Sequence, residues 1–402
     1  MPNATDMPNP DLAVDRYAVV GNPIAHSRSP QIHAAFARQT AQALSYERLL
    51  APLDGFADTV RQFFAEGGQG LNVTTPFKVQ AFELADRLTP GAEAAGAVNT
   101  LWMEDGLLHG DNTDGVGLVR DIVDRLGVEL EGRRILLLGA GGAAMGAMLP
   151  LIDCRPDRIV VANRTADRAS EMLENVAAAA GEAGVELWGG GFDALAGLSE
   201  EDGCEVVINA TAGSLQGEVP PVPEALLGEG VLAYDMMYGA EPTVFLRYAA
   251  AQGARTADGL GMLVEQAAQA FYLWRGVHPD TAPVLRNCGP RCGRKRGPKR
   301  VPKRRPASRP NRRPEAEPGR IPFFRYADRP TDASSALAQR KRAVRSRAAA
   351  ASARAGGSAP LRWLAWLLGS VLAGVVAMQV YFFLQIAAWQ VVDPGPTSFM
   401  RA

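Results

Sequence analysis

A lysine near a predicted helix start is the first residue of this sequence whose position suggests chemistry. Lys78 follows Thr75-Pro76, a pair typical of helix starts. The exposed N–H groups at the start of a helix favour acidic side chains and disfavour an ammonium group. A lysine held there releases its proton more easily, which is a property that a general acid–base residue needs. The position fits equally well with a surface lysine that extends its ammonium group into solvent.

Asp114 is the second candidate for proton transfer. It ends the polar segment Asp111–Asp114, ahead of residues whose apolar spacing predicts a helix. Aspartate is a favoured N-cap, and capping is the structural alternative to a chemical role. Two amides accompany it: Asn99 on a neighbouring predicted strand, and Gln266 on the apolar side of a helix predicted over 261–276. A buried amide needs a partner, either a backbone group or a ligand hydroxyl.

A glycine-rich segment joins a predicted strand to a predicted helix. The strand Arg134–Leu138 runs directly into Gly139–Gly146. In this context glycines allow a tight turn close to a pyrophosphate, and the following helix offers unpaired N–H groups to the anion. Taken by itself, the segment fits equally well with a plain strand-to-helix turn. The predicted dinucleotide contacts are Gly139, Ala140, Gly141, Gly142 and Ala143.

The end of the next strand indicates which dinucleotide binds. An enzyme that uses NAD usually has an acidic residue there, which accepts from the ribose 2′-hydroxyl. This sequence has Asn163-Arg164-Thr165, with Arg168 one helical turn later. Two guanidinium groups and a hydroxyl suit a 2′-phosphate. We therefore predict NADP; a merely solvated helix face is the alternative.

Alternating strands and helices must position these residues. The pattern predicts an α/β substrate-binding domain over 14–115 with a largely parallel sheet, followed by a Rossmann-like NADP-binding domain over 116–257. Helices over about 258–286 are expected to fold back and complete the first domain. Residues 1–13 are polar and proline-rich, and we expect them to be disordered.

Charge and cysteine content separate the body from the tail. Residues 1–285 hold 18 basic and 38 acidic residues, whereas residues 286–362 hold 23 and 4. The basic segment 287–360 has no apolar periodicity and is predicted to be a disordered linker. Cys288 and Cys292 form one pair without further ligands, so no metal site is expected.

A membrane-spanning helix is predicted over 361–392. Trp363–Val392 carries no charged side chain, and its length exceeds the ~20 residues needed to cross a bilayer. Basic residues on its N-terminal side would keep the folded part in the cytoplasm, tethered to the membrane. The linker could also contact anionic lipids. Nucleic acid is the less favoured partner, because no aromatic or folded platform accompanies the basic run.

Nine short motifs, taken together, resemble the shikimate dehydrogenase family over about residues 14–285. Each motif is modest, but their order and register are specific. They are Gly21–Pro30, Asn72–Lys78, Gly96–Thr100, Gly110–Gly115, Gly139–Ala143, Asn163–Thr165, Ile208–Thr211, Tyr234–Met236 and Asp258–Leu263. One departure is Ala144, where the family tends to have a small hydroxyl residue.

The resemblance implies a role for each candidate residue. Ser27 and Ser29 would bind the substrate carboxylate, with Tyr238 at the far side. Lys78 would be the acid–base residue, paired with Asp114. Ring hydroxyls would be held by Thr74, Asn99, Asp114 and Gln266. NADP would be held by the glycine loop with Asn163, Arg164, Thr165 and Arg168, and its nicotinamide lined by Met236 and Gly259.

The implied reaction is the reversible reduction of 3-dehydroshikimate to shikimate by NADPH, in a monomer or a homodimer. His26 and His33 would have structural roles only. The alternatives are an NAD-using quinate/shikimate dehydrogenase and an inactive membrane-anchored fusion product.

The residues 389–400 at the end of the chain resemble a second family. They are similar to the membrane-anchor region of a monofunctional peptidoglycan glycosyltransferase. No glycosyltransferase activity is expected, because that catalytic domain is not in the sequence. A natural fusion and a frameshift or gene-prediction error would both produce this combination. Residues 393–402 are predicted to be a short tail.

Overall fold

A computed structural model describes residues 14–198, 203–211 and 213–288 of the chain. The predicted disordered start at 1–13, the basic linker beyond residue 288, the membrane helix at 361–392 and the tail at 393–402 lie outside the described residues. Within the described ranges, no helix has the length and apolarity that crossing a bilayer requires.

The first half of the described chain forms a six-stranded mixed sheet. Its strand order is β2-β1-β3-β5-β6-β4. The elements are β1 (Asp15–Gly21), α1 (Ser29–Gln39), β2 (Leu44–Leu50), α2 (Phe56–Ala65), β3 (Gly68–Val73), α3 (Lys78–Leu84), β4 (Arg87–Leu88), α4 (Pro90–Ala95), β5 (Thr100–Glu104) and β6 (Leu107–Asp111).

This sheet is less parallel than the sequence predicts. Strand β1 pairs in parallel with β2 and β3, but β5 runs antiparallel to both β3 and β6. The β5–β6 pairing follows from the hairpin turn at Asp105-Gly106, where both residues have positive φ (51° and 75°). Such a turn joins antiparallel neighbours, so the hairpin interrupts the parallel pattern.

The second half forms a six-stranded, wholly parallel sheet of order β12-β11-β10-β7-β8-β9. Reading outward from β7 in both directions gives the strand order of a Rossmann fold, with the topological switch between β7 and β10. The elements are α5 (Asp114–Arg120, continued by a π-helical turn over Asp121–Arg125), β7 (Arg134–Leu138), α6 (Gly142–Asp153), β8 (Arg158–Asn163), α7 (Ala166–Ala183), β9 (Glu186–Gly191), β10 (Val206–Asn209), β11 (Leu232–Asp235), α8 (Val244–Ala251) and β12 (Arg255–Asp258).

Two helices, α9 (Leu260–Arg275) and α10 (Thr281–Cys288), complete the described chain, and α9 connects the two halves. Met262 at the start of α9 packs in the core of the second sheet. Val264 and Phe271 further along α9 pack against Ile32 and Phe36 of α1. Helix α9 therefore belongs to both cores, and it carries Gln266 between them.

Helix α5 crosses its neighbours closely through glycines. A Cβ on Gly115 would collide with the carbonyl oxygen of Gly146 in α6, and a Cβ on Gly117 would lie 2.7 Å from the backbone nitrogen of Gln266. Because backbone atoms lie on the other side of each contact, no side-chain rotation can make room. These glycines set the distance between the helices that carry the candidate residues.

We expect Gly115→Ala to lower the free energy of unfolding by about 2 kcal/mol, as overpacking of a tight contact does. The matched control is Gly181→Ala, an exposed helical position where an added Cβ meets nothing within 4 Å. That change should be neutral or slightly stabilising. Urea unfolding of the three proteins measures the difference, and equal stability of Gly115→Ala and wild type would contradict close packing of α5 against α6.

Candidate active site

The candidate residues gather where the carboxyl ends of strands in the first sheet meet the first turn of α5. Ser27 lies in the loop after β1 and Ser29 is the first residue of α1, whereas Thr74 follows β3 directly. Asn99 precedes β5, on the side where β6 ends and α5 begins. The fold thus brings together residues that lie far apart in the sequence.

Lys78 and Asp114 form an ion pair, with Lys78 Nζ 2.5 Å from Asp114 Oδ2. Each is the first residue of its helix. The lysine side chain is 32% exposed and the aspartate 14%, so the lysine is the more accessible partner. An ammonium group that is partly exposed beside a carboxylate can give a proton to a substrate oxygen and be held in place while it does so.

Two predictions about helix starts need correction. Helix α3 begins at Lys78, two residues after Pro76, and Phe77 is its N-cap residue. Asp114 is not the N-cap of α5; Thr113 precedes the helix, and Asn112 Oδ1 accepts from the N–H of Asp114 (3.1 Å). The carboxylate of Asp114 is therefore free of capping and points to Lys78.

Asn99 is the centre of a buried hydrogen-bond network. Its Nδ2 donates to Asp114 Oδ1 at 2.8 Å and reaches Gln266 Oε1 at 3.4 Å. Gln266 Nε2 donates to the carbonyl oxygen of Leu263 (2.8 Å), and its Oε1 also accepts from Thr113 Oγ1 (3.4 Å). The partners of Gln266 are thus both a backbone group and site residues.

The serine loop after β1 is held by an arginine that sequence reasoning missed. Arg48 of β2 donates to the carbonyl oxygen of Ser27 through Nη2 (2.6 Å) and Nε (3.0 Å). Ser27 Oγ and Ser29 Oγ lie 3.2 Å apart, so the two hydroxyls form one polar patch. Ser29 belongs to the first turn of α1, and its N–H donates to Ser27 Oγ at 3.3 Å.

Arg28 reaches across to the loop that follows β11. Its guanidinium carbon lies 6.0 Å from the ring centroid of Tyr238, at the outer limit of a cation–π contact. This contact places Tyr238 opposite the serine loop.

The glycine loop is open towards solvent at the start of α6. Gly139 has a φ of +106°, which favours glycine, and an added Cβ would lie 3.1 Å from Thr211 Cγ2. At Gly141 and Gly142 an added Cβ would meet nothing within 4 Å. Since α6 begins at Gly142, its first N–H groups face this space, as an anion site requires. Ala144, which stands where the family tends to have a small hydroxyl residue, is fully buried in the core.

Two exposed arginines follow β8. Asn163 Nδ2 donates to the carbonyl oxygen of Thr165 (2.9 Å), which shapes the turn into α7. Arg164 and Arg168 lie in that turn and in the first turn of α7, and they form no ion pair with any described residue. Two unneutralised guanidinium groups fit a phosphate on the ribose.

The loops after β11 and β12 meet at Met236 and Gly259. A Cβ on Gly259 would collide with the carbonyl oxygen of Met236, and the N–H of Gly259 donates to the carbonyl oxygen of Met237 (3.0 Å). These loops lie at the carboxyl edge of the second sheet, where dinucleotides bind in such folds.

His33 is wholly buried behind the serine loop. Its ring stacks on Tyr46 with centroids 4.2 Å apart, and burial lowers its pKa to about 3. The ring is therefore neutral at physiological pH, which fits the structural role expected for it.

A pH prediction follows from the buried His33. Below pH 6.5 the unfolded chain protonates this imidazole while the folded chain does not, down to about pH 3. Stability should therefore fall with decreasing pH by about 1.4 kcal/mol per pH unit in that window. Between pH 6.5 and 4.5, the free energy of unfolding of His33→Phe should fall by about 2 kcal/mol less than that of the wild-type protein. Urea unfolding at both pH values measures this, and parallel losses in the two proteins would contradict it.

Metal ligands do not cluster in the part of the chain that the structure describes, where no group of three His, Cys, Asp or Glu side chains could hold an ion. Cys154 and Cys204 are free cysteines, and burial raises the pKa of the Cys154 thiol to about 12. Cys292 lies outside the described residues.

Three family profiles match the chain in order. They are the shikimate dehydrogenase substrate binding domain (residues 19–101), the shikimate / quinate 5-dehydrogenase family (119–186) and the shikimate 5'-dehydrogenase C-terminal domain (259–286). Together they cover much of the first sheet, strands β7 and β8 of the second sheet, and α9.

Proteins with curated names and solved structures agree with these matches. The chain is 76% identical to shikimate dehydrogenase (NADP(+)) of Cupriavidus necator over 67% of this chain and 92% of that protein. A relative of the same name from Alkalilimnicola ehrlichii is 54% identical over 69% of this chain and 99% of its own length. A crystal structure of shikimate 5-dehydrogenase from Thermus thermophilus, in complex with NADP(H) and shikimate, is 32% identical with a TM-score of 0.57, covering 68% of this chain and 97% of that one. The geometry and these matches together show that the chain belongs to the NADP-dependent shikimate dehydrogenase family.

Proposed function

We propose that this chain reduces 3-dehydroshikimate reversibly to shikimate with NADPH, a step in the biosynthesis of chorismate and the aromatic amino acids. The observation that carries the proposal is the Lys78–Asp114 ion pair, held by Asn99 at the edge of the first sheet. The 76% identity to a named NADP-dependent relative supports the same reaction.

Substrate binding uses both sides of the cleft. The hydroxyls of Ser27 and Ser29 receive the substrate carboxylate, and Tyr238 closes the far side. Thr74, Asn99 and Gln266 hold ring hydroxyls through neutral hydrogen bonds. The proposal is supported by the 3.2 Å separation of the two serine hydroxyls and by the position of Arg28 over Tyr238.

Proton transfer is the task of Lys78. NADPH, when bound, supplies the hydride to the ring ketone. As charge develops on the ketone oxygen, the ammonium group of Lys78 donates a proton to it. Asp114 holds Lys78 through Oδ2 and orients the neighbouring hydroxyl of the ring. In the reverse direction Lys78 accepts the proton from shikimate.

NADP is held by the second sheet. The glycine loop from Gly139 to Ala143 and the first N–H groups of α6 receive the pyrophosphate. Arg164 and Arg168, with Asn163 and Thr165, receive the 2′-phosphate. The nicotinamide side is lined by Met236 and Gly259. The open space at the loop and the unneutralised arginines support this placement.

A substrate and cofactor panel tests the proposed function. Purified full-length protein is assayed with shikimate and with quinate, each with NADP and with NAD. We expect the highest kcat/KM with shikimate and NADP. Preferential oxidation of quinate with NAD would favour the alternative of a quinate/shikimate dehydrogenase.

Membrane tethering through residues 361–392 is a separate proposal, supported by the sequence of the tail alone. The catalytic part would then lie at the inner face of the cell membrane. Sedimentation of the activity with membranes would support it. Comparison of the full chain with a chain ending at residue 288 tests the inactive-fusion alternative, which requires activity in the shorter chain only.

A further inference from the structure

Thr100 follows Asn99 in the sequence and has no assigned role. It is the first residue of β5 and is fully buried. Its hydroxyl makes two hydrogen bonds: Asn72 Nδ2 donates to it at 3.1 Å, and it lies 2.9 Å from Asn99 Oδ1. Both partners are amides, so the direction of each bond matters.

Tyr46 sets the direction of the hydrogen bond between Asn72 and Thr100. The Tyr46 hydroxyl lies 2.7 Å from Asn72 Oδ1, and burial raises the pKa of Tyr46 well above its usual value, so it keeps its proton. Tyr46 therefore donates, and the oxygen of Asn72 accepts. This turns the Asn72 amide nitrogen towards Thr100.

A threonine hydroxyl has a single proton to donate. Since Asn72 already donates to Thr100, the proton of Thr100 is left for Asn99 Oδ1. The same oxygen accepts from the N–H of Thr113 at 2.9 Å. With its oxygen held on this side, Asn99 must turn Nδ2 towards Asp114 Oδ1, 2.8 Å away. The opposite orientation would place two acceptors face to face.

We propose that Thr100 is a positioning residue of this site, whose hydroxyl fixes the Asn99 amide so that it donates to Asp114 and keeps that carboxylate aligned with Lys78. The proposal rests on the function proposed above. Four donors in sequence, from Tyr46 through Asn72 and Thr100 to Asn99, all point towards Asp114. In a buried setting such aligned hydrogen bonds strengthen one another.

Replacement of one hydroxyl tests the proposal. Thr100→Val keeps the β-branched shape, and we expect it to lower kcat for shikimate oxidation about tenfold, comparable to the loss of one hydrogen bond, with an unchanged KM for NADP. Thr100→Ser retains the hydroxyl and should stay within about twofold of wild type. The matched control is Thr59→Val in α2, whose hydroxyl donates to the carbonyl oxygen of Gly55 (2.9 Å). It should leave kcat unchanged.

A double-mutant cycle separates positioning from general support. If Thr100 acts through Asn99, then Thr100→Val in an Asn99→Ala background should change kcat by less than about twofold, because coupled residues are not additive. A full tenfold loss in that background would overturn the proposal. Wild-type kcat in Thr100→Val would overturn it as well.

A second variant protects the test against misfolding. Tyr46→Phe removes the hydroxyl that orients Asn72, and we expect a kcat loss of about threefold, smaller because the site is two bonds further away. If Thr100→Val does not fold, an unchanged kcat in Tyr46→Phe overturns the proposal. A wild-type protein that does not oxidise shikimate would instead overturn the proposed function, so the two failures are distinguishable.

Discussion

Replacing Lys78 with alanine should lower kcat for 3-dehydroshikimate reduction by at least about 10²-fold, the low end for loss of a general acid–base residue. The KM for 3-dehydroshikimate should change little, because the serine hydroxyls and the amides that we propose as substrate ligands stay in place. Steady-state kinetics of the purified variant measure both values. An effect on KM alone would make Lys78 a binding residue only.

Two further variants control for charge. Lys78→Arg keeps a positive charge beside Asp114, but a guanidinium does not release its proton in proteins, so kcat should remain low. Arg87→Ala removes an exposed cation from β4 of the same sheet and should have no effect. Recovery of kcat in Lys78→Arg would show that charge alone, without proton transfer, is sufficient.

Chemical modification offers an independent check. Lys78 is the only lysine in residues 1–288. Amine-selective labelling followed by peptide mapping therefore reports on Lys78 as the one side-chain amine of residues 1–288. Shikimate should protect it, because the substrate would cover the exposed third of its side chain.

The second large effect concerns the cofactor. Arg164→Ala combined with Arg168→Ala should lower kcat/KM for NADPH about 10²-fold, because two charge-assisted hydrogen bonds to a phosphate are lost. The value for NADH should be nearly unchanged. In the wild-type protein, kcat/KM for NADPH should exceed kcat/KM for NADH by at least about tenfold.

A charge control accompanies this test. Arg133→Ala removes an exposed cation just before β7, at the amino ends of the strands of the same sheet. This change should leave kcat/KM for NADPH and for NADH unchanged. Equal use of NADPH and NADH by wild type would contradict the assignment of the two arginines. A similar loss for both cofactors in the double variant would indicate damage to the fold of the loop.

The parallel second sheet follows closely from the sequence. The apolar run at Ile135–Leu138 is buried on both faces, as helices on both sides of a sheet require. The glycine segment then marks the loop at its end. The first sheet is less parallel than predicted, although Asp105-Gly106 is itself a hairpin signal in the sequence. The antiparallel pairing of β5 with β3 has no local signal, because it joins residues far apart in the chain.

The site was predictable one residue at a time, but its connections were not. Lys78 stood out because it breaks the rule for helix starts. Asp114 looked like a cap, and only the fold shows that Asn112 binds its N–H instead. The roles of Arg48 and Thr100 were not predictable, although Thr100 ends one of the nine motifs, because both roles depend on strands and loops that meet only after folding.

The most direct test of the central claim is the stoichiometry of one reaction. Full-length protein is incubated with NADPH and 3-dehydroshikimate, and both NADPH loss and shikimate formation are measured. We predict equal amounts of NADPH consumed and shikimate formed in wild type, with turnover by Lys78→Ala at least about 10²-fold slower. Absence of shikimate in the wild-type reaction, or equal turnover by Lys78→Ala, would contradict the account.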